Sequence, residues 1–151
     1  MLTFLRRLLL TTATLVVVSS PVFAAGKPSP VLYTSLAHAA PELNAQALKG
    51  ALSAMQCAVN NGAKPSRHLA IIDYSQPSTE RRLWIFDLSK KKLVLRDLVA
   101  HGSNSGENFA TQFSNREGSY QSSLGLFRTQ ESYEGTHGYS LRMDGLEPGF
   151  N

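Results

Sequence analysis

Polar side chains that could contact a ligand are concentrated in two glycine-containing stretches, residues 99–106 and 118–125. An imidazole exchanges a proton near neutral pH, while serine hydroxyls and asparagine amides both donate and accept hydrogen bonds. Loops between regular elements are where such groups reach a ligand. The pattern therefore predicts that ligand contacts are made by His101, Ser103, Asn104, Ser105, Gly106, Ser123 and Gly125.

Two serine motifs fit nucleophile patterns only in part. Residues 102–106 read Gly-Ser-Asn-Ser-Gly, whereas a serine-hydrolase elbow needs serine at the centre, where this chain has Asn104. Residues 89–92 read Ser-Lys-Lys-Lys and formally fit Ser-x-x-Lys, but they fall in a predicted hairpin turn. We interpret the first motif as a polar loop and the second as a solvated basic turn.

Cysteine and histidine residues give no further reactive or metal-binding pattern. Cys57 is the only cysteine, so no internal disulfide can form, and its apolar helical surroundings indicate a buried structural residue. The histidines lack partners at metal-ligand spacing, so we expect no metal and no cofactor. For His101 two interpretations stay open: the imidazole has a role in the site, or it only stabilises a turn. The histidines are His38, His68, His101 and His137.

The elements that must position these residues are mainly strands. Apolar spacing predicts a helix from Pro41 and Glu42 to Val59, and apolar or alternating runs predict strands at 68–74, 82–88, 93–100, 126–133 and 139–143. The second and third strands form a hairpin with Trp84 and Phe86 on one face. The loop that precedes the fourth strand, residues 101–125, is longer than an ordinary connection. The predicted fold class is mainly β, of the α+β type, with one N-terminal helix.

The N-terminus has the pattern of a secretory signal peptide over residues 1–24. Arg6 and Arg7 precede an uncharged, mostly apolar run, and small or branched residues occupy the −3 and −1 positions for cleavage after Ala24. The alternative is an uncleaved membrane anchor, although a membrane span needs about 20 residues and the apolar run is shorter. We expect Sec export to the periplasm or cell envelope, with no stable membrane span after cleavage. Residues 25–41, rich in Ala, Pro and Ser, predict a flexible leader.

Size and charge narrow the class of protein. Cleavage would leave one modest domain, and loss of two of the 15 basic residues would give a net charge of 13 − 11 = +2. A charge this small, without one long basic run, does not indicate a nucleic-acid partner. It is compatible with an anionic polymer such as the cell wall and does not select one.

The order of these pieces resembles the murein L,D-transpeptidase catalytic domain family. The resemblance covers roughly residues 35–151 and rests on the helix, the hairpin of residues 83–95, the His-Gly stretch of residues 98–106, and the glycine turn and strand of residues 122–129. It implies a β-sandwich or barrel with a groove for peptidoglycan stem peptides, and the seven ligand-contact candidates named above are its predicted groove residues. Residues 42–151 would then form an incomplete catalytic domain, truncated at its C-terminus.

The resemblance also implies a mechanism. In the family, a cysteine thiolate attacks the carbonyl after an L-centre, a terminal D-amino acid leaves, and an amine receives the acyl group. A histidine base and backbone donors assist such a nucleophile. The family carries them in a His-Gly and a Ser-x-Gly-Cys segment after the glycine turn and strand, and here only His137 and Gly138 match the start of the first. No residue of this chain is therefore assigned a catalytic role.

The leading interpretation is an exported L,D-transpeptidase-family protein whose 151 residues lack the segment with the catalytic His and Cys and are inactive on their own. One alternative is a non-catalytic periplasmic module that keeps the groove and binds the cell wall. The other is a remnant without function. The acyl acceptor and the oligomeric state stay open.

Overall fold

The computed structural model describes residues 29–136 and 138–151. The predicted signal peptide, residues 25–28 of the predicted leader, and His137 lie outside the described residues. Within them the chain forms two helices and five strands in two antiparallel sheets. In chain order they are α1 (Pro30–Ala39), α2 (Ala45–Asn60), β1 (His68–Ile72), β2 (Leu83–Asp87), β3 (Lys92–Asp97), β4 (Phe127–Gly135) and β5 (Gly138–Gly145).

Helix α1 lies where the sequence predicts a flexible leader. Pro30 occupies the first turn, where a missing N–H costs no helical hydrogen bond. Leu36 is fully buried, and Leu32 and Tyr33 pack against the same core at helical spacing. This packing onto the rest of the molecule fixes a segment whose small and turn-forming residues suggested a flexible chain.

The sequence predicts helix α2, and the helix begins at Ala45, three residues after Glu42. The Asn44 side chain caps it by accepting hydrogen bonds from the N–H groups of Gln46 at 2.8 Å and Ala47 at 3.3 Å. The helix ends at Asn60, close to the predicted end, and Gly62 follows with a φ of +92°.

The main core lies between the two helices and one face of a three-stranded sheet with the order β1-β2-β3. Trp84 and Phe86 share that face, as predicted, with exposed fractions of 1% and 0%. Leu69 and Ile71 of β1 lie beside them, because β1 pairs with β2 in the register Leu69 to Phe86. All five predicted strands are present, and the mainly β, α+β class is confirmed, with two helices instead of one.

Strands β4 and β5 form a separate two-stranded hairpin. Its residues are mostly exposed, including Tyr139, Leu141 and Met143 along one face of β5. The opposite face carries Arg142, whose guanidinium contacts Glu131 at 3.1 Å and lies 4.9 Å from the centre of the Tyr133 ring. Residues 98–126 connect β3 to this hairpin and contain all seven predicted groove residues.

Candidate functional site

The loop of residues 98–126 is held together by hydrogen bonds between its two polar stretches. The buried Ser105 hydroxyl accepts a hydrogen bond from the Ser122 N–H at 2.7 Å. The Ser122 hydroxyl accepts one from the Gly102 N–H at 2.9 Å, and the Asn104 N–H donates to the Tyr120 carbonyl at 3.0 Å. The two stretches found in the sequence therefore lie side by side.

A fully buried arginine anchors the loop to the sheet. Arg82 donates from Nε and Nη2 to the carbonyl of Val99, at 3.2 and 3.1 Å, and from Nη1 to the carbonyl of Gln76 at 2.9 Å. Its Nη2 also lies 2.7 Å from His101 Nδ1, and its guanidinium carbon lies 5.1 Å from the centre of the Tyr74 ring. Carbonyl dipoles, an imidazole and an aromatic face thus solvate this buried charge.

His101 uses both ring nitrogens to hold the loop. Because a guanidinium has donors only, Nδ1 accepts the hydrogen bond from Arg82, and the ring proton is assigned to Nε2. Nε2 lies 3.0 Å from the carbonyl oxygen of Gly106 and donates to it. His101 therefore links the sheet to the turn at residues 102–106.

Two glycines let the backbone pack closely in this turn. A Cβ on Gly102 would lie 2.4 Å from the Tyr120 carbonyl oxygen. A Cβ on Gly106, whose φ is +141°, would lie 2.1 Å from the carbonyl oxygen of Phe109. The glycines of the polar stretch are therefore needed for the fold of the loop.

Five of the predicted groove residues are exposed on the loop, and three of them, Ser103, Asn104 and Ser123, have polar side chains. Ser103 is exposed in the turn, and Asn104 donates from Nδ2 to the Ser119 carbonyl at 3.0 Å. The Ser123 hydroxyl donates to the carbonyl of Ser114 at 3.2 Å. A contact between these residues and a ligand stays a prediction.

A cleft of about 330 Å³ lies between α2, β1 and the turn at residues 124–126. It is mostly apolar, and Gly125 is the predicted groove residue in its wall. His101 and Ser105 lie instead within the loop's own hydrogen bonds. The lining residues are Ala47, Gly50, Ala51, Ala54, Leu69, Ala70, Ile71, Ile72, Leu124, Gly125, Leu126, Glu147 and Phe150.

The polar wall of the cleft is fixed by two side chains from residues 146–151. The Glu147 carboxylate accepts a hydrogen bond from the Leu126 N–H at 2.6 Å, and the Asn151 amide oxygen accepts one from the Glu147 N–H at 3.0 Å. Gly125 has a φ of +111°, and a Cβ there would lie 2.2 Å from Asn151 Nδ2. Only glycine fits this position without a shift of the wall.

Cys57 is half-buried on α2, so it is less enclosed than the sequence suggests. Its sulfur lies 3.5 Å from Asn61 Nδ2, and that amide also donates to the Cys57 carbonyl at 2.9 Å. Residues 29–136 and 138–151 contain no group of three His, Cys, Asp or Glu side chains placed to hold a metal ion. No helix among the same residues is long and apolar enough to cross a membrane.

Sequence reasoning missed Arg82, Ser122 and Glu147. Arg82 follows another arginine and begins a predicted strand, and charged residues are ordinarily exposed, so the sequence does not show that it is buried. Glu147 follows a Gly-Leu pair, so the sequence likewise does not distinguish it from an exposed turn residue. Only the tertiary structure shows that these side chains hold the loop and the cleft.

The family model of the L,D-transpeptidase catalytic domain matches residues 39–151. The matched region contains α2, both sheets, the 98–126 loop and every predicted groove residue. The match covers most of the chain, so this protein belongs to the L,D-transpeptidase catalytic domain family, as the sequence resemblance predicts. Members of this family act on peptidoglycan. No match was found among curated proteins or among solved structures.

Proposed function

We propose that this protein is an exported L,D-transpeptidase that acts on peptidoglycan stem peptides by acyl transfer through a cysteine. The family match over residues 39–151 is the observation that carries the proposal. In it, residues 1–24 serve as a signal peptide, and the protein works in the periplasm or cell envelope. These 151 residues contain no Ser-x-Gly-Cys segment, so the proposal assigns the catalytic His and Cys to none of them.

The cleft supplies a surface on which a stem peptide can lie. Its α2 wall consists of alanine and glycine, so a peptide backbone can approach the helix closely. Strand β1 is at the edge of its sheet and lines the cleft over Leu69, Ala70, Ile71 and Ile72. An edge strand has unpaired N–H and C=O groups that can pair with an extended peptide. The proposed role of this part of the protein is therefore to bind and orient the acyl donor.

The chain's own cysteine is not the proposed nucleophile. A reactive thiolate is generated by a base within hydrogen-bond distance, commonly histidine. In the described part of the chain, Cys57 Sγ has the Asn61 amide in that position instead of an imidazole. The half-buried helical setting of Cys57 also lacks the exposed turn that would present a thiolate to a peptide carbonyl.

A carbapenem adduct tests the acyl-transfer proposal directly, because this inhibitor acylates an active cysteine. We expect the product of the complete coding frame to gain one carbapenem mass on a cysteine other than Cys57, and the Cys57→Ser variant to keep that adduct. The same protein should release a terminal D-amino acid from purified stem peptides. Absence of the adduct, or its loss in Cys57→Ser, would contradict the proposal.

Reading the coding DNA beyond codon 151 and weighing the exported protein test the remaining parts. A His-Gly segment followed by Ser-x-Gly-Cys in frame is the expected result, with an N-terminus at Ala25. A stop codon directly after Asn151, together with a mass that agrees, would refute the enzymatic proposal for this chain. An intact N-terminus would refute cleavage of the signal peptide.

A further inference from the structure

Lysine and arginine side chains from segments that are separate in sequence lie near one end of the three-stranded sheet. His68 of β1 pairs with Asp87 of β2, and the Leu88 N–H donates to the Arg67 carbonyl at 2.8 Å. The turn between β2 and β3 lies at this same end. The side chain of Arg128 joins it by donating from Nη2 to the carbonyl of Lys64 at 3.1 Å. We define the basic end as Lys64, Arg67, Lys90, Lys91, Lys92 and Arg128.

Nearby carboxylates neutralise only part of the basic end. Asp87 is 4% exposed, and it offsets the charge of Arg67 through a salt bridge at 3.1 Å while it also accepts hydrogen bonds from the Ser89 hydroxyl and the Lys90 N–H. Asp144 lies opposite Arg128 in the hairpin register. The lysines at positions 90–92 are exposed, and none of them belongs to a salt bridge among the described residues.

The basic end is continuous with the cleft. Strand β1 lines the cleft from Leu69 onward, and Arg67 lies two residues before that point. Leu126 is in the cleft wall, and Arg128 lies two residues after it, on β4. Residues 67–69 and residues 126–128 therefore each connect the cleft wall to a cation of the basic end, and a polymer that leaves the cleft along either segment would meet Arg67 or Arg128.

We infer that the basic end is a second binding surface, which holds the free carboxylates of a peptidoglycan strand while one of its stem peptides occupies the cleft. The identity of the polymer rests on the proposed function. Lysine ammonium groups on flexible stems suit carboxylates whose positions vary along a polymer. The basic end attracts the peptidoglycan strand by charge and so raises its local concentration at the cleft. This attraction weakens with added salt.

The chemistry of the basic end favours this polymer over two other anionic partners. Single-stranded nucleic acids are bound on aromatic side chains that stack with bases, and the segments that carry most of these cations, residues 64–68 and 87–92, contain no Phe, Tyr or Trp. The turn at residues 89–92 consists of serine and lysines, so it offers no apolar side chain for insertion into a bilayer.

The test is cosedimentation of the full chain with purified peptidoglycan sacculi that have been stripped of phosphate polymers. The variant Lys90→Gln/Lys92→Gln leaves Lys91, which has a φ of +52°, in place. The control Lys49→Gln/Arg116→Gln removes the same charge from exposed positions on α2 and the loop. We expect the first variant to bind about three- to tenfold more weakly, as for loss of two exposed ion pairs, and the control to bind like the original chain.

Chemical amidation of the sacculus carboxylates provides the second arm. We expect amidated sacculi to lose the difference between the two variants, because the lysines then have no anionic partner. Equal weakening by both variants, an unchanged difference after amidation, or retention on anionic lipid vesicles in place of sacculi would overturn the inference. The carbapenem adduct is measured separately, so failure of this surface and failure of the acyl-transfer proposal are distinguishable.

Discussion

Arg82 shows how a single side chain organises the loop next to the cleft. Burial of a charge is costly unless its donors are matched, and here two backbone carbonyls and an imidazole nitrogen accept them. The same contacts fix which nitrogen of His101 carries the proton. Arg82 therefore holds the loop in position, because the carbonyls of Val99 and Gln76 and the Nδ1 atom of His101 would otherwise lose this donor.

Replacement of Arg82 by leucine should lower the free energy of unfolding by about 3 kcal/mol, because buried acceptors lose their donor. Arg81→Leu is the matched control, since Arg81 is exposed and should change stability by no more than about 0.5 kcal/mol. Urea unfolding followed by fluorescence of Trp84, the only tryptophan, measures both. Equal effects of the two substitutions would show that the buried network does not anchor the loop.

Asp87 should make the protein sensitive to acid. Hydrogen bonds from the Ser89 hydroxyl at 2.6 Å and the Lys90 N–H at 3.0 Å, aided by Arg67, hold the pKa of its carboxyl well below the usual range. The unfolded chain therefore binds a proton more readily than the folded chain. The stabilisation is present above about pH 4 and is lost as the pH falls further.

Asp87→Asn should lower stability at neutral pH and flatten the acid limb of a plot of unfolding free energy against pH. Asp97→Asn serves as the comparison, because Asp97 is exposed and its carboxylate bonds only to the adjacent Leu98 N–H. Urea titrations between pH 2 and pH 7 measure the slope. An unchanged acid limb in Asp87→Asn would mean that other carboxylates cause the acid sensitivity.

At the scale of elements, α1 and β1 matter most for the core and for the shape of the cleft. Helix α1 covers the sheet face that contains Trp84 and Phe86, and β1 contributes both core residues and one wall of the cleft. Helix α2 lies between them and supplies the facing wall. Loss of either helix would expose core surface, so the shape of the cleft depends on packing some distance from it.

Leu36→Ala should cost about 3 kcal/mol of stability, since Leu36 is fully buried between α1 and the sheet. Val31 is 62% exposed on the same helix, and Val31→Ala should change stability by less than about 0.5 kcal/mol. The urea midpoints of the two variants give the comparison. Similar midpoints would indicate that α1 does not pack on the sheet in solution.

The sequence predicts the regular elements better than it predicts the loop. The strand around Trp84 and helix α2 follow from apolar periodicity, which is local information. Helix α1 is missed because Gly26, Pro28 and Pro30 give its surroundings the composition of a loop, whereas Leu36 binds it to a distant sheet. The contact of Ser105 with Ser122 depends on how the chain folds back, which single-sequence patterns do not encode.

The groove residues illustrate the same limit. Gly125 was selected for its turn-forming character, and it lies in the wall of the cleft. His101 was selected as an exposed imidazole, whereas its two nitrogens contact Arg82 and Gly106. Residue type predicts hydrogen-bonding capacity, but only the neighbours determine whether that capacity is used within the fold.

At the scale of the whole molecule, the described chain has a well-packed part and a thinly covered part. The helices and the three-stranded sheet share one core, while the β4–β5 hairpin has exposed apolar side chains on β5. A two-stranded hairpin has little stability of its own in water. Stability should therefore be unequal across the molecule.

Hydrogen exchange of the 151-residue chain should reveal this difference. Backbone amides of β2 lie between β1 and β3 over the core, so they should exchange only when the whole domain unfolds. Amides of β4 and β5 should exchange at least about tenfold faster, through local opening of the hairpin. Peptide-resolved mass spectrometry measures both regions in one experiment.

A pair of substitutions separates local opening from global unfolding. Leu52→Ala, in the buried face of α2, should destabilise the core and accelerate exchange in β2, whereas Leu141→Ala should leave β2 unchanged because Leu141 is 52% exposed. If β4 and β5 instead exchange at the rate of β2, and Leu141→Ala accelerates both, the hairpin is covered in solution and unfolds together with the core. That result would mean that the stripe of Tyr139, Leu141 and Met143 contributes to a larger cooperative unit.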